Sequence, residues 1–257
     1  MTAVLDVPSA ARAVHDEWAA LVPPPGGPLE RFDPAALAAL PEPAHRLLSH
    51  SITPGTPLWR SVVLTMHGQV RLGAWRPFTA TQILTAGEGF IWAATARAAG
   101  LPVSGFDRYS RGTGQMRWRL LGVAPVVTAS GPDVTRSAAG RLAGEAVFVP
   151  TAFRGATWQA SDTPDAAVAT WRIGGRDEVV ELHVDAAGAL RELRMRRWGN
   201  PANVPFGGYP FGVAVEAERT FAGVTIPSRL RAGWWWRTDR QADGEFFRAE
   251  ITDAAFQ

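Results

Sequence analysis

The sequence predicts a mainly β protein built on antiparallel strands, with a minor helical part. Three observations predict it. Apolar and polar residues alternate with period two over most of the chain after Pro54. Glycine-centred turns, Gly87-Glu88-Gly89, Gly112-Thr113-Gly114 and Gly174-Gly175, separate alternating runs in the manner of hairpins. Helical spacing is confined to the N-terminal region and to one stretch near the middle of the chain. No linker interrupts the pattern after Pro43, so residues 33–257 read as one domain, preceded by a helical arm over residues 1–32.

Taken in order, residues 9–22 place Ala11, Val14, Trp18 and Leu21 at helical spacing, and Pro23-Pro24-Pro25-Gly26-Gly27 ends that segment. A second helix starts at Asp33, an N-cap with Pro34 at the first helical position; it runs through Leu37 and Leu40 and resumes after Pro43 with Leu47 and Leu48. The period then changes. Val62, Leu64, Met66, Gly68, Val70 and Leu72 alternate with Thr65, His67, Gln69 and Arg71, as on a half-buried strand. Strands follow at Phe90 to Ala94, around Tyr109, at Met116 to Leu120, and at Ala169 to Ile173. Val180 to Val184 comes next, with Asp185-Ala186-Ala187-Gly188 leading into Leu190 to Trp198, and then Phe211 to Ala217, Leu230 to Trp236 and Phe247 to Ile251. About ten strands result. One helix interrupts them, with Asp133 as its cap and Val134 to Ala146 as its body.

Composition excludes several function classes. The chain has 257 residues, no cysteine and a formal charge of +2, and its 26 basic side chains are all arginine. The arginines lie singly along the strands rather than on one face or arm, so no nucleic-acid partner is expected. Disulfides and thiolate-bound metals are excluded. Met1 to Trp18 carries Asp6, Asp16 and Glu17 without a basic start or a long apolar run, and no stretch of the chain is apolar enough to span a bilayer. The expectation is a cytoplasmic protein with no integral membrane segment.

No nucleophile elbow, zincin motif or P-loop is present, and Gly112-Thr113-Gly114 precedes a strand rather than a helix. No cofactor and no metal are expected. The histidines at 15, 45, 50, 67 and 183 fall in separate elements without metal spacing, and His67 and His183 are out of phase with the apolar rows, hence exposed. Glu216 and Glu218 share one strand face, on the side away from Val213, Val215 and Ala217.

Two features carry candidate sites. Asp133, Ser137, Arg141 and Glu145 recur every four positions on the inserted helix, with Arg141 and Glu145 able to pair. The stripe is either a solvated face, or a polar anchor laid over the sheet by a helix whose Ala138, Ala139, Ala143 and Ala146 permit close approach. The second feature is eleven tryptophans. Trp92, Trp118, Trp171, Phe211, Trp234 and Phe247 share the apolar phase, where they either fill a core or line a cavity. Trp236 continues the row of Leu230, Ala232 and Trp234, whereas Trp235 is in phase with arginines and stacks on one.

Several runs, in order, resemble a bacterial family of actinobacterial type and unknown function: Trp75-Arg76-Pro77-Phe78, Phe106-Asp107-Arg108-Tyr109, Met116-Arg117-Trp118-Arg119, the Asp133 to Glu145 stripe, Pro210-Phe211-Gly212-Val213 and Gly233-Trp234-Trp235-Trp236. The resemblance covers roughly residues 40 to 257 and brings no activity with it. More loosely, the strand order and the inserted helix resemble the lipoprotein-carrier half-barrels of the LolA and LolB kind. Those relatives curve an antiparallel sheet around an apolar cavity lidded by helices and bind acyl chains; the chain departs from them in showing no export signal.

The expected architecture is therefore a curved antiparallel sheet forming an incomplete barrel, with N-terminal helices and one inserted helix packed on it. The expected function is binding of an apolar small molecule or acyl chain in the concave face, lined by Trp92, Tyr109, Trp118, Trp171, Phe211 and Trp234, with Arg141 and Glu145 as anchors. Two alternatives stand beside it. One is a cofactor-free enzyme of secondary metabolism, with Tyr109, Arg141 or Glu145 as acid or base; the other is a structural or partner-binding protein with a filled core.

Overall fold

Alternation of buried and exposed side chains along most of the chain yields one antiparallel sheet, seen in a computed structural model that describes residues 6–22, 29–98 and 100–257. The proline-glycine run at 23–27 lies outside the described residues. The first half of the sheet is β1 (Ser61–Leu72), β2 (Ala74–Thr85), β3 (Gly89–Ala98), β4 (Leu101–Ser110), β5 (Thr113–Leu120) and β6 (Ala124–Ser130). The second half is β7 (Thr157–Ala160), β8 (Ala166–Ile173), β9 (Arg176–Val184), β10 (Leu190–Gly199), β11 (Gly207–Phe221), β12 (Val224–Trp234) and β13 (Glu245–Phe256). The order is β6-β5-β4-β3-β2-β1-β13-β12-β11-β10-β9-β8-β7, two meanders joined where β1 pairs with β13. The sheet is not closed.

Among the described residues four α-helices accompany it: α1 (His15–Leu21), α2 (Glu42–Ser51), α3 (Pro132–Glu145) and the short α4 (Gln241–Gly244). Ala11, Val14, Trp18 and Leu21 are all buried, as their spacing predicts, but against the outer face of the sheet, on Val63, Ile83, Ile91, Ala93 and Phe106. The inner face carries the main core, in which α2 contributes Leu47 and Leu48 and α3 contributes Ala138, Ala139, Leu142 and Ala143. Helix α3 leaves the β6 edge and packs against β4 and β5 on one side and β9 and β10 on the other, so it lies inside the curve. The curl is deep enough that a side chain built at Gly174, in the β8–β9 turn, would meet the Tyr109 hydroxyl on β4.

The thirteen strands among the described residues exceed the roughly ten read from alternation. The additional ones are β2, β6 and β7. In β2 the run Gln82-Ile83-Leu84-Thr85 is buried on both faces, because α1 covers the outer one, and alternation disappears. β6 and β7 are edge strands exposed almost throughout, so they have no buried row to reveal them.

Four local expectations are corrected. The N-cap of α3 is Gly131; Asp133 sits inside the first turn and accepts the Trp198 indole N–H at 2.9 Å. Irregularities in the β11–β12 register around Ala217 separate Glu216 from Glu218: Glu216 pairs with Arg229 and Arg231, whereas Glu218 turns to His50 on α2, 2.5 Å away. His183 has the outward phase but is only 12% exposed, packed 3.0 Å from Glu181. Trp236 does not continue the inner row. β12 ends at Trp234, Trp235 takes a left-handed conformation (φ 56°), and Trp236 crosses to the outer face. There its ring fills the place that a side chain on Gly212 would occupy.

Candidate functional site

The polar stripe of α3 faces the sheet. Arg141 donates from Nε to Glu145 at 2.7 Å, from Nη1 to Asp107 on β4 at 3.2 Å and from Nη2 to Gln82 on β2 at 3.3 Å. The circuit closes on itself, since Gln82 donates back to Glu145 at 2.7 Å and the Trp118 indole N–H donates to Asp107 at 2.8 Å. The guanidinium also lies over the rings of Phe90 and Trp92, 4.5 and 5.3 Å from their centroids. Burial raises the Asp107 carboxyl above the ordinary carboxylate range, and Arg141 and Trp118 offset only part of that. Two turns nearer the N-terminus of α3, the exposed end of the stripe is held by Trp198.

From this circuit a band of aromatic rings crosses the inner face. Trp118 lies 5.6 Å from Trp92, Trp92 lies 5.4 Å from Phe78, and Phe78 stacks on Phe247 at 5.2 Å. Phe247 continues to Phe246 at 6.4 Å, Phe246 to Phe211 at 6.4 Å, and Phe211 to Trp234 at 5.2 Å. Gly199 on β10 makes room for the Trp234 ring, which would collide with any side chain there. At this far end Arg197 covers Phe211 and Trp234 at 4.8 and 5.2 Å. Burial, with the charge of Arg141 behind it, lowers the Arg197 pKa to about 10.

Beside Arg197 the sheet splits. β9 and β10 pair only from Val184/Leu190 to Glu181/Arg194, after which residues 176–180 and 195–199 diverge. The divergence opens a cleft of about 850 Å³. It passes through the sheet, because its lining mixes the inward phase (Glu178, Met195, Phe211) with the outward phase (Val179, Glu181, Arg194, Arg196, Trp236). Gly140 of α3 lies below it, where a side chain would press on Arg197, Glu178 and Met195. Arg136 of α3 also lines the cleft and stacks on Trp198 at 3.6 Å. Among the described residues Arg136, Arg176 and Arg196 take part in no ion pair. Burial raises the Glu178 carboxyl, with arginines 136, 176 and 197 opposing.

The outer wall is held by Glu192 on β10. Its carboxylate takes the Trp236 indole N–H and the Arg237 Nε and Nη2 at 2.9 and 2.6 Å, and Arg194 at 2.7 Å. Burial alone would raise its pKa, but these donors outweigh burial and hold it well below the glutamate range. Trp235, beside this wall, stacks on Arg240 at 4.2 Å.

The eight candidate residues thus fall into three places. Trp92, Trp118, Arg141 and Glu145 meet in the circuit and the band's near end, and Phe211 and Trp234 form its far end. Tyr109 and Trp171 stand apart under the β8–β9 hairpin, Trp171 edge-on to Phe153 at 5.4 Å. Only Phe211 of the eight lines the cleft. Sequence reasoning did not single out Gln82, Asp107, Arg197, Arg136, Met195 or Glu192. Asp107 had a signal, lying two residues before Tyr109 and so on its strand face. The others had none. Gln82 sits on the strand whose alternation is erased, and Arg197 and Glu192 take their faces from a register shift between Leu190 and Glu192.

Residues 30–246 match a family of unknown function, DUF6544. The chain belongs to that family. No curated protein matches it in sequence. Solved structures similar to it at low identity include the following three. A putative outer membrane lipoprotein-sorting protein domain from Vibrio parahaemolyticus has 9% identity over 84% of this chain and 91% of that one, with a TM-score of 0.42. A LolA superfamily protein from Nitrosomonas europaea has 12% identity over 86% and 94%, TM-score 0.46. A DUF1329 family protein from Desulfovibrio piger has 10% identity over 88% and 94%, TM-score 0.42. This DUF6544 chain places its β9–β10 split within the matched residues.

Proposed function

We propose that this protein binds an amphipathic anion of the acyl-carboxylate class, taken up through the β9–β10 cleft with its chain running along the aromatic band of the concave face. The observation that carries the reading is the cleft itself. Its volume of about 850 Å³ falls in the range of small-molecule sites. Its inward wall of Met195 and Phe211 adjoins the band, and the arginines at 136, 176 and 196 line it outside any ion pair, with the Glu178 carboxyl among them. An acyl chain gains by leaving water for the rings of Phe211, Trp234 and Phe246, while its carboxylate meets guanidinium donors. Arg141 and Glu145 stand at the inner end of this path beside Trp92 and Trp118.

The test is a titration with oleate and with the uncharged oleyl alcohol, followed by tryptophan fluorescence, since Trp198, Trp234 and Trp236 surround the path. Both ligands should shift the emission and raise the melting temperature. Replacing Arg136 with Ala should weaken oleate by about 1.5–3 kcal/mol, the scale of a hydrogen bond to a charged group, and leave the alcohol nearly unchanged. No shift and no stabilisation with either ligand at saturation would refute the reading and make the aromatic band a filled core.

A further inference from the structure

The three hairpins that turn at one end of the first half of the sheet protrude in a staggered row. Leu72 pairs with Ala74 across Gly73, Phe78 with Ala96, Ala98 with Leu101, and Val103 with Leu120, so the turns centred on Gly73, Gly100 and Gly122 lie side by side. The Leu121 N–H donates to the Pro102 carbonyl at 2.8 Å and ties two of them together. Their apolar side chains stand in solvent: Val123 is 74% exposed, Leu121 58%, Leu72 56% and Leu101 46%. Large aliphatic groups gathered on protruding turns mark an interaction surface.

Charge decides what that surface meets. Arg71, Arg76, Arg97 and Arg119 each lie within three residues of a turn glycine, about 10 Å of strand. Among the described residues none of the four is in an ion pair. Between residues 61 and 130 the acidic residues are Glu88 and Asp107 alone. Glu88 sits in the β2–β3 turn, at the other end of these strands, and Asp107 faces inward to Arg141. From neighbouring elements, Glu245 is taken by Arg231 and Arg248, and Arg71 meets Asp243 through the latter's backbone carbonyl. The edge therefore presents apolar tips backed mainly by arginines, with the exposed Asp243 beside Arg71 as the acidic residue nearest to them.

We propose that this edge docks on the surface of a bilayer containing anionic phospholipid, with the leucine and valine tips entering the headgroup layer and the arginines meeting phosphates. An added β-strand is the poorer occupant, because Pro125 removes a donor from β6 beside a register irregularity at Trp118/Arg119. These turns and arginines lie outside the β9–β10 cleft.

Vesicle co-sedimentation tests it, comparing pure phosphatidylcholine with phosphatidylcholine carrying a third of phosphatidylglycerol. The protein should bind the anionic vesicles at low salt, release them at high salt and ignore the neutral ones. Two variants, Leu72→Ser/Leu101→Ser/Leu121→Ser/Val123→Ser and Arg71→Gln/Arg97→Gln/Arg119→Gln, should each weaken vesicle binding by roughly tenfold or more. Six of the seven side chains are exposed and Arg119 is half-buried, so circular dichroism should stay as in the parent, and an Arg71→Gln/Arg97→Gln variant that keeps Arg119 should still weaken vesicle binding with an unchanged melt. Equal binding to both vesicles, or none, overturns the proposal. A concentration-dependent dimer that the leucine variant abolishes, without lipid binding, overturns it too and assigns the edge to a second copy of the chain.

Discussion

Replacing Arg141 with Met tests the buried circuit under the concave face. Arg141 is 18% exposed and its two carboxylate partners, Asp107 and Glu145, are 18% and 19% exposed. Methionine keeps much of the aliphatic packing on Phe90 and Trp92 but leaves two carboxylates facing each other with the buried Arg197 as the remaining cation that acts on both. Breaking a buried pair in this way costs about 3–5 kcal/mol, and the residual solvent access at this site argues for the lower end, about 3 kcal/mol. At about 2–4 °C per kcal/mol for a chain of this size, the melting temperature should fall by roughly 6–12 °C at neutral pH. The pH dependence has a definite sign. A carboxyl whose folded pKa is raised holds its proton more tightly folded than unfolded, so between the unfolded and folded values stability falls as pH rises. Removing Arg141 extends that window upward, and the deficit of the variant should shrink as pH is lowered through the carboxylate range. Adding Asp107→Asn should recover part of the loss at neutral pH. Melts of the single and double variants across pH measure all of this. A deficit below about 1 kcal/mol at neutral pH, or one that grows on acidification, would refute the reasoning.

Two further outcomes follow from the outer face. Glu192→Gln should lower stability by about 2–3 kcal/mol in a thermal or urea melt, because Trp236, Arg237 and Arg194 lose a carboxylate that is 8% exposed. Its folded pKa is depressed, so its contribution is present above the unfolded value of 4.5 and is lost as pH falls below it; the parent should lose stability on acidification more steeply than the variant. Gly212→Ala should be destabilising by about 1–3 kcal/mol and should change tryptophan emission, because the new methyl would collide with the Trp236 ring and must displace it. An unchanged melt in Gly212→Ala would mean that Trp236 is free to move.

Much of this architecture was legible before folding because side-chain period is a local property of the chain. Alternation alone exposed the inner rows, among them Trp92, Trp118, Phe211 and Trp234, and a four-residue repeat marked the one face of α3 on which Arg141 meets Glu145. Helical spacing picked all four residues of the N-terminal segment that are buried, though not the side of the sheet they cover. What alternation cannot carry is a change of phase. One register shift between Leu190 and Glu192 places Glu192 outward and Arg197 inward, bulges near Ala217 send Glu216 and Glu218 to different partners, and one left-handed residue, Trp235, carries Trp236 through to the outer face. Nor does a polar residue announce whether it will be buried. Gln82 and Asp107 are drawn into the circuit only because α3 crosses over them, a contact between segments far apart in sequence. The cleft is more remote still, since it arises where β9 and β10 cease to pair while each stays bonded to its other neighbour. Local periodicity set about ten of the strands and the phase within each uninterrupted run; which faces lie against a helix, a void or water was decided by the curl of the sheet, which brings distant strands and α3 together.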